Sequence, residues 1–219
     1  MQTLETSSLA MIQECHRCPR LVAFRHINRT RFPGWHNAPV PSFGRQDSWL
    51  LVVGLAPGLQ GANRTGRPFT GDFAGKLLYT TLIKFGIAYG NYRESSSDGL
   101  ILKGCRITNA VRCVPPANKP LPEETRLCGS FLKSEIANMP LLRVILALGK
   151  IAHETILVSF NKKKSSIPFI HGISYRLQDN ISLVDSYHCS RYNINTGRLT
   201  EAMFQSVFRQ VLTVTARYS

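Results

Sequence analysis

The stretch Trp49–Gly58, WLLVVGLAPG, decides the fold. Its first five residues are apolar with no alternating polar partner, so a strand built from them must be buried on both faces. They run directly into Gly54–Gly58, a loop of small residues stiffened by Pro57. Three further short apolar runs repeat the pattern: Cys105–Thr108, Val144–Leu148 and Ile181–Asp185. Helical stretches are expected at Ala74–Phe85, Glu123–Ala137, Ile151–Phe160 and Glu201–Val214. Pro122 stands just before the acidic start of the second, as helix N-termini prefer. Alternating strand and helix predicts an α/β fold with a mostly parallel sheet and helices on both faces. No repeat, low-complexity tract or linker interrupts residues 1–219, which read as one domain. Ligands of such sheets bind outside the carboxyl ends of the strands. That rule selects the GLAPG loop, Asn109 after Thr108, and Ser186–His188 after Asp185.

Composition bounds the function. The chain has 219 residues and a net charge of +14, from 27 Lys+Arg against 13 Asp+Glu. Hydrophobic residues make up 43%, too many for an intrinsically disordered chain. The longest apolar run, Leu141–Leu148, is short and broken by Arg143, which excludes a helical membrane span. Met1–Gln13 lacks the basic and apolar regions of a signal peptide, so a soluble cytoplasmic protein is expected. The cations are spread through the chain, not gathered in a tail. A polyanion such as nucleic acid is therefore the natural partner, because neutralising phosphates rewards many distributed positive charges.

Two segments hold the candidate chemistry. In GLAPGLQGANRTGRPFTGD, Gly54–Asp72, the glycines let backbone approach a ligand closely. Phe69, misplaced as surface in so polar a loop, suits a stacking platform for a flat ring. Asp72 is the segment's one acid, and an isolated Asp in front of a helix is also a common N-cap. In SYHCSRYNINTG, Ser186–Gly197, a histidine just past a strand end can donate a hydrogen bond to a developing anion. The cysteines are too few for a disulfide scaffold. Cys15 and Cys18 form a C-x-x-C, and Cys113 and Cys128 a second, wider pair. Four thiolates so arranged suit tetrahedral zinc or an iron–sulfur cluster, and spacing does not choose between them.

These segments, together with TNAVRC (Thr108–Cys113) and PPANKPLPEE (Pro115–Glu124), resemble the type b (family 5) uracil-DNA glycosylases that carry an iron–sulfur cluster. The resemblance runs from Cys15 to the final helix. It implies a three-layer α/β/α sandwich around a mostly parallel four-stranded sheet. It also implies a monomer that acts on damaged DNA, ahead of downstream base-excision repair enzymes. Cys15, Cys18, Cys113 and Cys128 would then hold a [4Fe–4S] cluster in a structural role.

The implied reaction extrudes uracil from the duplex and hydrolyses its N-glycosidic bond, leaving an abasic site. Gly54, Ala56, Gly58, Phe69, Asn109 and His188 would bind the base, with Phe69 stacking and Asn109 reading its pairing edge. His188 would stabilise the departing uracil anion. Arg191 and Asn193 would contact DNA, and Arg191 or its neighbours would fill the gap left by the flipped base. Ala56 replaces the acid or amide that better-known uracil glycosylases carry, and it cannot position water. Asp72 is the expected substitute. Gly58 leaves room for larger bases such as hypoxanthine. Cys189 stands where the family usually has proline. The rival expectation is a non-catalytic iron–sulfur nucleic-acid-binding protein of the same fold.

Overall fold

The computed structural model describes residues 14–216. The signal-peptide reading of Met1–Gln13 falls outside them. Among the described residues the first helix, α1 (Pro19–Arg31), precedes a long loop and strand β1 (Leu50–Gly54). A single helical turn, α2 (Ala62–Thr65), and helix α3 (Phe73–Lys84) follow. Next come a small two-stranded pair, β2 (Ala88–Tyr89) with β3 (Ile101–Leu102), and then β4 (Cys105–Asn109). Helix α4 (Pro122–Ala137), β5 (Val144–Leu148) and helix α5 (Lys150–Ser159) make the next crossover. Strands β6 (Ser174–Gln178) and β7 (Ile181–Ser186), the short α6 (Arg191–Asn195) and α7 (Glu201–Thr215) complete the order.

The central sheet runs β4-β1-β5-β7-β6. The first four of these strands pair in parallel and are the four expected from the apolar runs. The fifth, β6, pairs antiparallel with β7 at the edge. Its sequence, SYRLQ, is half exposed, so it has no continuous apolar run by which to be recognised.

Side chains alternate across the sheet as strand geometry requires. Leu50, Val52, Ile107, Leu146 and Val184 face α3 and α7, packing on Leu78, Leu82, Phe204 and Phe208. Leu51, Val53, Ile145, Ala147 and Leu183 face α4 and α5, packing on Leu132, Ile156 and Leu157. The two apolar layers make the expected α/β/α sandwich, and the four parallel strands are buried on both faces. A third, smaller core joins Leu21, Val111, Cys113 and Cys128, with Ala56 packed against it. No helix among the described residues is long and apolar enough to cross a membrane.

Candidate active site and cysteine cavity

The carboxyl ends of β1, β4 and β7 open onto one cleft of about 510 Å³. Ala56, Gly58, Phe69, Asp72, Asn109, His188 and Arg191 all line it. Gly54 lies behind them. A side chain there would sit 2.5 Å from both Asn109 Oδ1 and the Phe69 ring, so only glycine lets those two groups meet.

Phe69 is held in a left-handed conformation, φ 51°, unusual for a bulky residue. Several groups enforce it. Buried Arg67 pairs bidentately with Asp98 at 2.7 and 2.8 Å and donates to Thr70 Oγ1. The Tyr79 hydroxyl donates to the Pro68 carbonyl, and the Tyr92 hydroxyl to that of Phe69. The Arg67 guanidinium holds the Asp98 carboxyl well below the usual carboxylate range. The strain thus rests on a charged clamp, and the ring stacks 5.9 Å from that of His188.

Asp72 caps α3: its Oδ1 accepts from the Gly75 N–H at 2.9 Å. Its Oδ2 turns toward Gly58 and Gly61, where an added Cβ would lie 3.4 and 2.6 Å away. Among the described residues Asp72 Oδ2, the Asn109 amide and both ring nitrogens of His188 have no hydrogen-bond partner. Three polar groups without protein partners therefore converge on one cleft. Loss of hydration pushes the His188 pKa down against the opposing pull of the Asp72 charge, so its imidazole is neutral at pH 7.

Asn193 does not line the cleft. Its side-chain amide donates to the His188 carbonyl at 2.8 Å, and its backbone N–H is capped by Ser190 Oγ. It therefore braces the histidine loop from behind. Arg191 lies exposed over the Phe73 ring at 5.6 Å. Cys189 is fully buried, its thiol against the Ala74 carbonyl, and burial pushes its pKa far up. Such a thiol is a packing group, not a nucleophile.

One residue at the cleft escaped the sequence reading, and one beside it was covered only as a neighbour of Arg191. Asn118 lines it from a turn in which Ala117 and Asn118 are both left-handed, φ 53° and 56°. Tyr192, the neighbour of Arg191, is 72% exposed, the most exposed large apolar side chain among the described residues. The P-P-A-N run signalled a turn. Nothing in it revealed which strand end the turn would overhang.

Cys15, Cys18, Cys113 and Cys128 line a second, small cavity with Leu21, Val111 and Phe131. All four are free thiols. Cys18 caps α1, Cys113 precedes the Asn118 turn, and Cys128 lies within α4. Burial pushes the Cys18 thiol up to about 11 and that of Cys113 to about 12. Arg25, only 2% exposed, donates to Cys113 Sγ at 3.4 Å, while its Nε is buried with no partner. The Arg112 backbone N–H donates to Cys128 Sγ. Among the described residues no group of three His, Cys, Asp or Glu side chains is set to hold a single metal ion.

Comparison with known proteins agrees with this geometry. Residues 41–212 match the model of the uracil DNA glycosylase superfamily. A type-5 uracil-DNA glycosylase of Thermus thermophilus is 46% identical over 202 residues, covering 90% of this chain and 91% of that protein. One from Mycobacterium leprae is 40% identical over 212 residues, 91% of each chain. A type-4 uracil-DNA glycosylase of Archaeoglobus fulgidus is 30% identical over 182 residues, 81% of this chain and 77% of that one. A buried parallel sheet, a cleft at its carboxyl edge and these similarities agree: the chain belongs to the uracil-DNA glycosylase superfamily, in its type-5 branch.

Proposed function

We propose that this protein is a DNA-repair hydrolase that flips uracil out of DNA and cleaves its N-glycosidic bond, leaving an abasic site. The observation that carries the reading is the convergence of Asp72 Oδ2, the Asn109 amide and the His188 ring on one cleft, none with a protein partner. Polar groups that open onto a cleft without protein partners are free to bind a ligand there.

The roles follow from what bond cleavage demands. The C1′–N1 bond breaks with its electron pair leaving on uracil, so negative charge grows on the base and positive charge on the sugar. Neutral His188 donates a hydrogen bond to the uracil oxygen that gains the charge. Phe69, pinned by the Arg67–Asp98 clamp, stacks on the extruded ring. The Asn109 amide pairs with uracil O4 and N3–H. Asp72 Oδ2 faces the sugar side, stabilises the cation and orients the water whose oxygen adds to C1′. One water proton ends on the released base. Ala56 offers no polar atom for that task.

Hypoxanthine presents the same carbonyl-and-N–H edge as uracil, on a larger ring. Gly58 and a cleft of about 510 Å³ leave space for it, which supports excision of deaminated purine as well. Tyr192, exposed and next in the chain to cleft-lining Arg191, is our candidate to fill the gap in the base stack. The net charge of +14 supplies attraction to phosphates.

We infer that Cys15, Cys18, Cys113 and Cys128 hold a [4Fe–4S] cluster, the group implied by the resemblance to the family-5 enzymes. The four thiols line a common space, and the buried Arg25 Nε is a donor free for an anionic cluster. When bound, the cluster would supply covalent cross-linking of α1, the Cys113 loop and α4, not a reaction step. Duplex DNA with a single uracil tests the main reading: alkali-labile cleavage at that position is expected. DNA binding without abasic-site formation would instead favour a non-catalytic protein of the same fold.

A further inference from the structure

The strand that delivers His188 is held by a second histidine on its other side. β7 ends at Ser186, and the next backbone N–H, that of Tyr187, donates to His171 Nδ1 at 3.0 Å. The His171 ring lies flat on the Tyr187 ring, centroids 4.7 Å apart and 4° from parallel. Nδ1 accepts only if it carries no proton. Burial holds the His171 pKa below its ordinary value against the pull of Asp185, so at pH 7 the ring is neutral and the acceptor available.

His171 is itself fixed to the strand it serves. Asp185 of β7, fully buried, binds the preceding loop at three points. Its carbonyl accepts from the Gly172 N–H at 2.8 Å, its N–H donates to the Ile173 carbonyl, and its Oδ2 accepts from the Ile170 N–H. Its Oδ1 meets His153 Nδ1 at 2.8 Å, and His153 Nε2 meets the Ile167 carbonyl at 3.0 Å. Both His153 nitrogens thus face oxygens, one of the Asp185 carboxyl and one of the Ile167 carbonyl, and burial pushes the Asp185 pKa up as well. Burial pulls the His153 pKa down, but the hydrogen bond and charge of Asp185, with the Ile167 carbonyl and the Glu154 charge, together hold it up. A continuous path therefore runs from α5 through Asp185 and the 167–173 loop to His171, the Tyr187 amide and His188.

We infer that His171 is a positioning residue for excision: its Nδ1 fixes the Tyr187 peptide and thereby the angle at which His188 meets the departing base. His171 touches neither cleft nor substrate, and the Asp185–His153 pair sets the loop that carries it. The inference rests on the glycosylase reading, and its test separates the two.

Single-turnover excision of uracil from duplex DNA is measured for wild type, His171→Ala, His171→Asn, His188→Ala and the His171→Ala/His188→Ala double variant. Wild type without excision refutes the glycosylase reading, and the inference with it. With wild type active, His171→Ala should be slower by about tenfold at unchanged DNA affinity, because a small misplacement of a catalytic group is costly. His171→Asn, whose amide oxygen sits about where Nδ1 does, should recover most of the rate. In the His188→Ala background the second change should have no further effect. Equal losses in both backgrounds, or no rescue by Asn, would overturn the inference while leaving the glycosylase standing. Should His171→Ala melt below the assay temperature, His171→Gln fills the space with its oxygen one carbon too far and takes its place. The ¹⁵N shifts of the His188 ring give a reading independent of turnover: they should move in His171→Ala and return in His171→Asn.

Discussion

Asp72→Asn separates the two duties of one carboxylate. Oδ1 caps α3 through the Gly75 N–H, while Oδ2 faces the cleft beside Gly58 and Gly61. Asparagine caps a helix as well as aspartate does, so the first duty survives. What the helix loses is one negative charge at its N-terminus, worth about 0.3–1 kcal/mol. For a chain of this size that lowers the melting temperature by roughly 1–4 °C. The second duty is lost outright. Two unit charges about 5 Å apart, at an effective dielectric of about 20, attract by roughly 3 kcal/mol. Removing that attraction from a sugar carrying most of a positive charge slows excision by about a hundredfold. Single-turnover cleavage of a uracil duplex, followed on a denaturing gel beside a thermal melt, reads both numbers. Rates within about threefold of wild type would reduce Asp72 to a helix cap. Catalysis would then rest on Asn109, His188 and the phosphates of the substrate.

Tyr192→Ala should slow excision from duplex DNA by about tenfold and from single-stranded DNA far less, because only the duplex has a stack to open; equal effects on both would remove Tyr192 from flipping. Anaerobically purified protein should be brown with about four irons per chain. Cys113→Ser should lose colour, iron and melting temperature together, whereas one zinc and no iron would refute the cluster. The pKa of His188 in the fold lies below its unfolded value of about 6.5, so on acidification the unfolded chain takes up the proton first. The stability tied to His188 is thus complete above that pH and lost as pH falls below it. His188→Gln should lose less melting temperature than wild type between pH 7.5 and 5.5; parallel losses would mean His188 is freely hydrated.

Much of this molecule can be read without coordinates, for a definite reason. Strands β1, β4, β5 and β7 are buried on both faces, so their apolar character is local and uninterrupted, and each was placed within a residue or so of its ends. The helices α3, α4, α5 and α7 announced themselves in the same way. Strand ends in a parallel sheet also share one edge, so the GLAPG loop, Asn109 and His188 could be expected at one cleft from order alone, with Asp72 added by the family resemblance. The cysteine pairs carried their own message through spacing.

Pairing across the fold settled the rest. Edge strand β6 exists because β7 offers it a partner, not because SYRLQ favours a strand. Asn118 reaches the cleft only through two consecutive left-handed residues, and the Asn193 amide is taken up by the His188 carbonyl. The His153–Asp185 pair joins residues 32 positions apart, and His171 meets Tyr187 from 16 away. Periodicity and spacing are properties of neighbours along the chain, so sequence alone determined the layers, the sheet direction and the cleft's edge. Which way each side chain points, and which distant group satisfies it, depends on backbone angles and burial created only when the layers close. That closure, in the tertiary structure alone, turned the His188 ring into the cleft and set His171 against the Tyr187 amide.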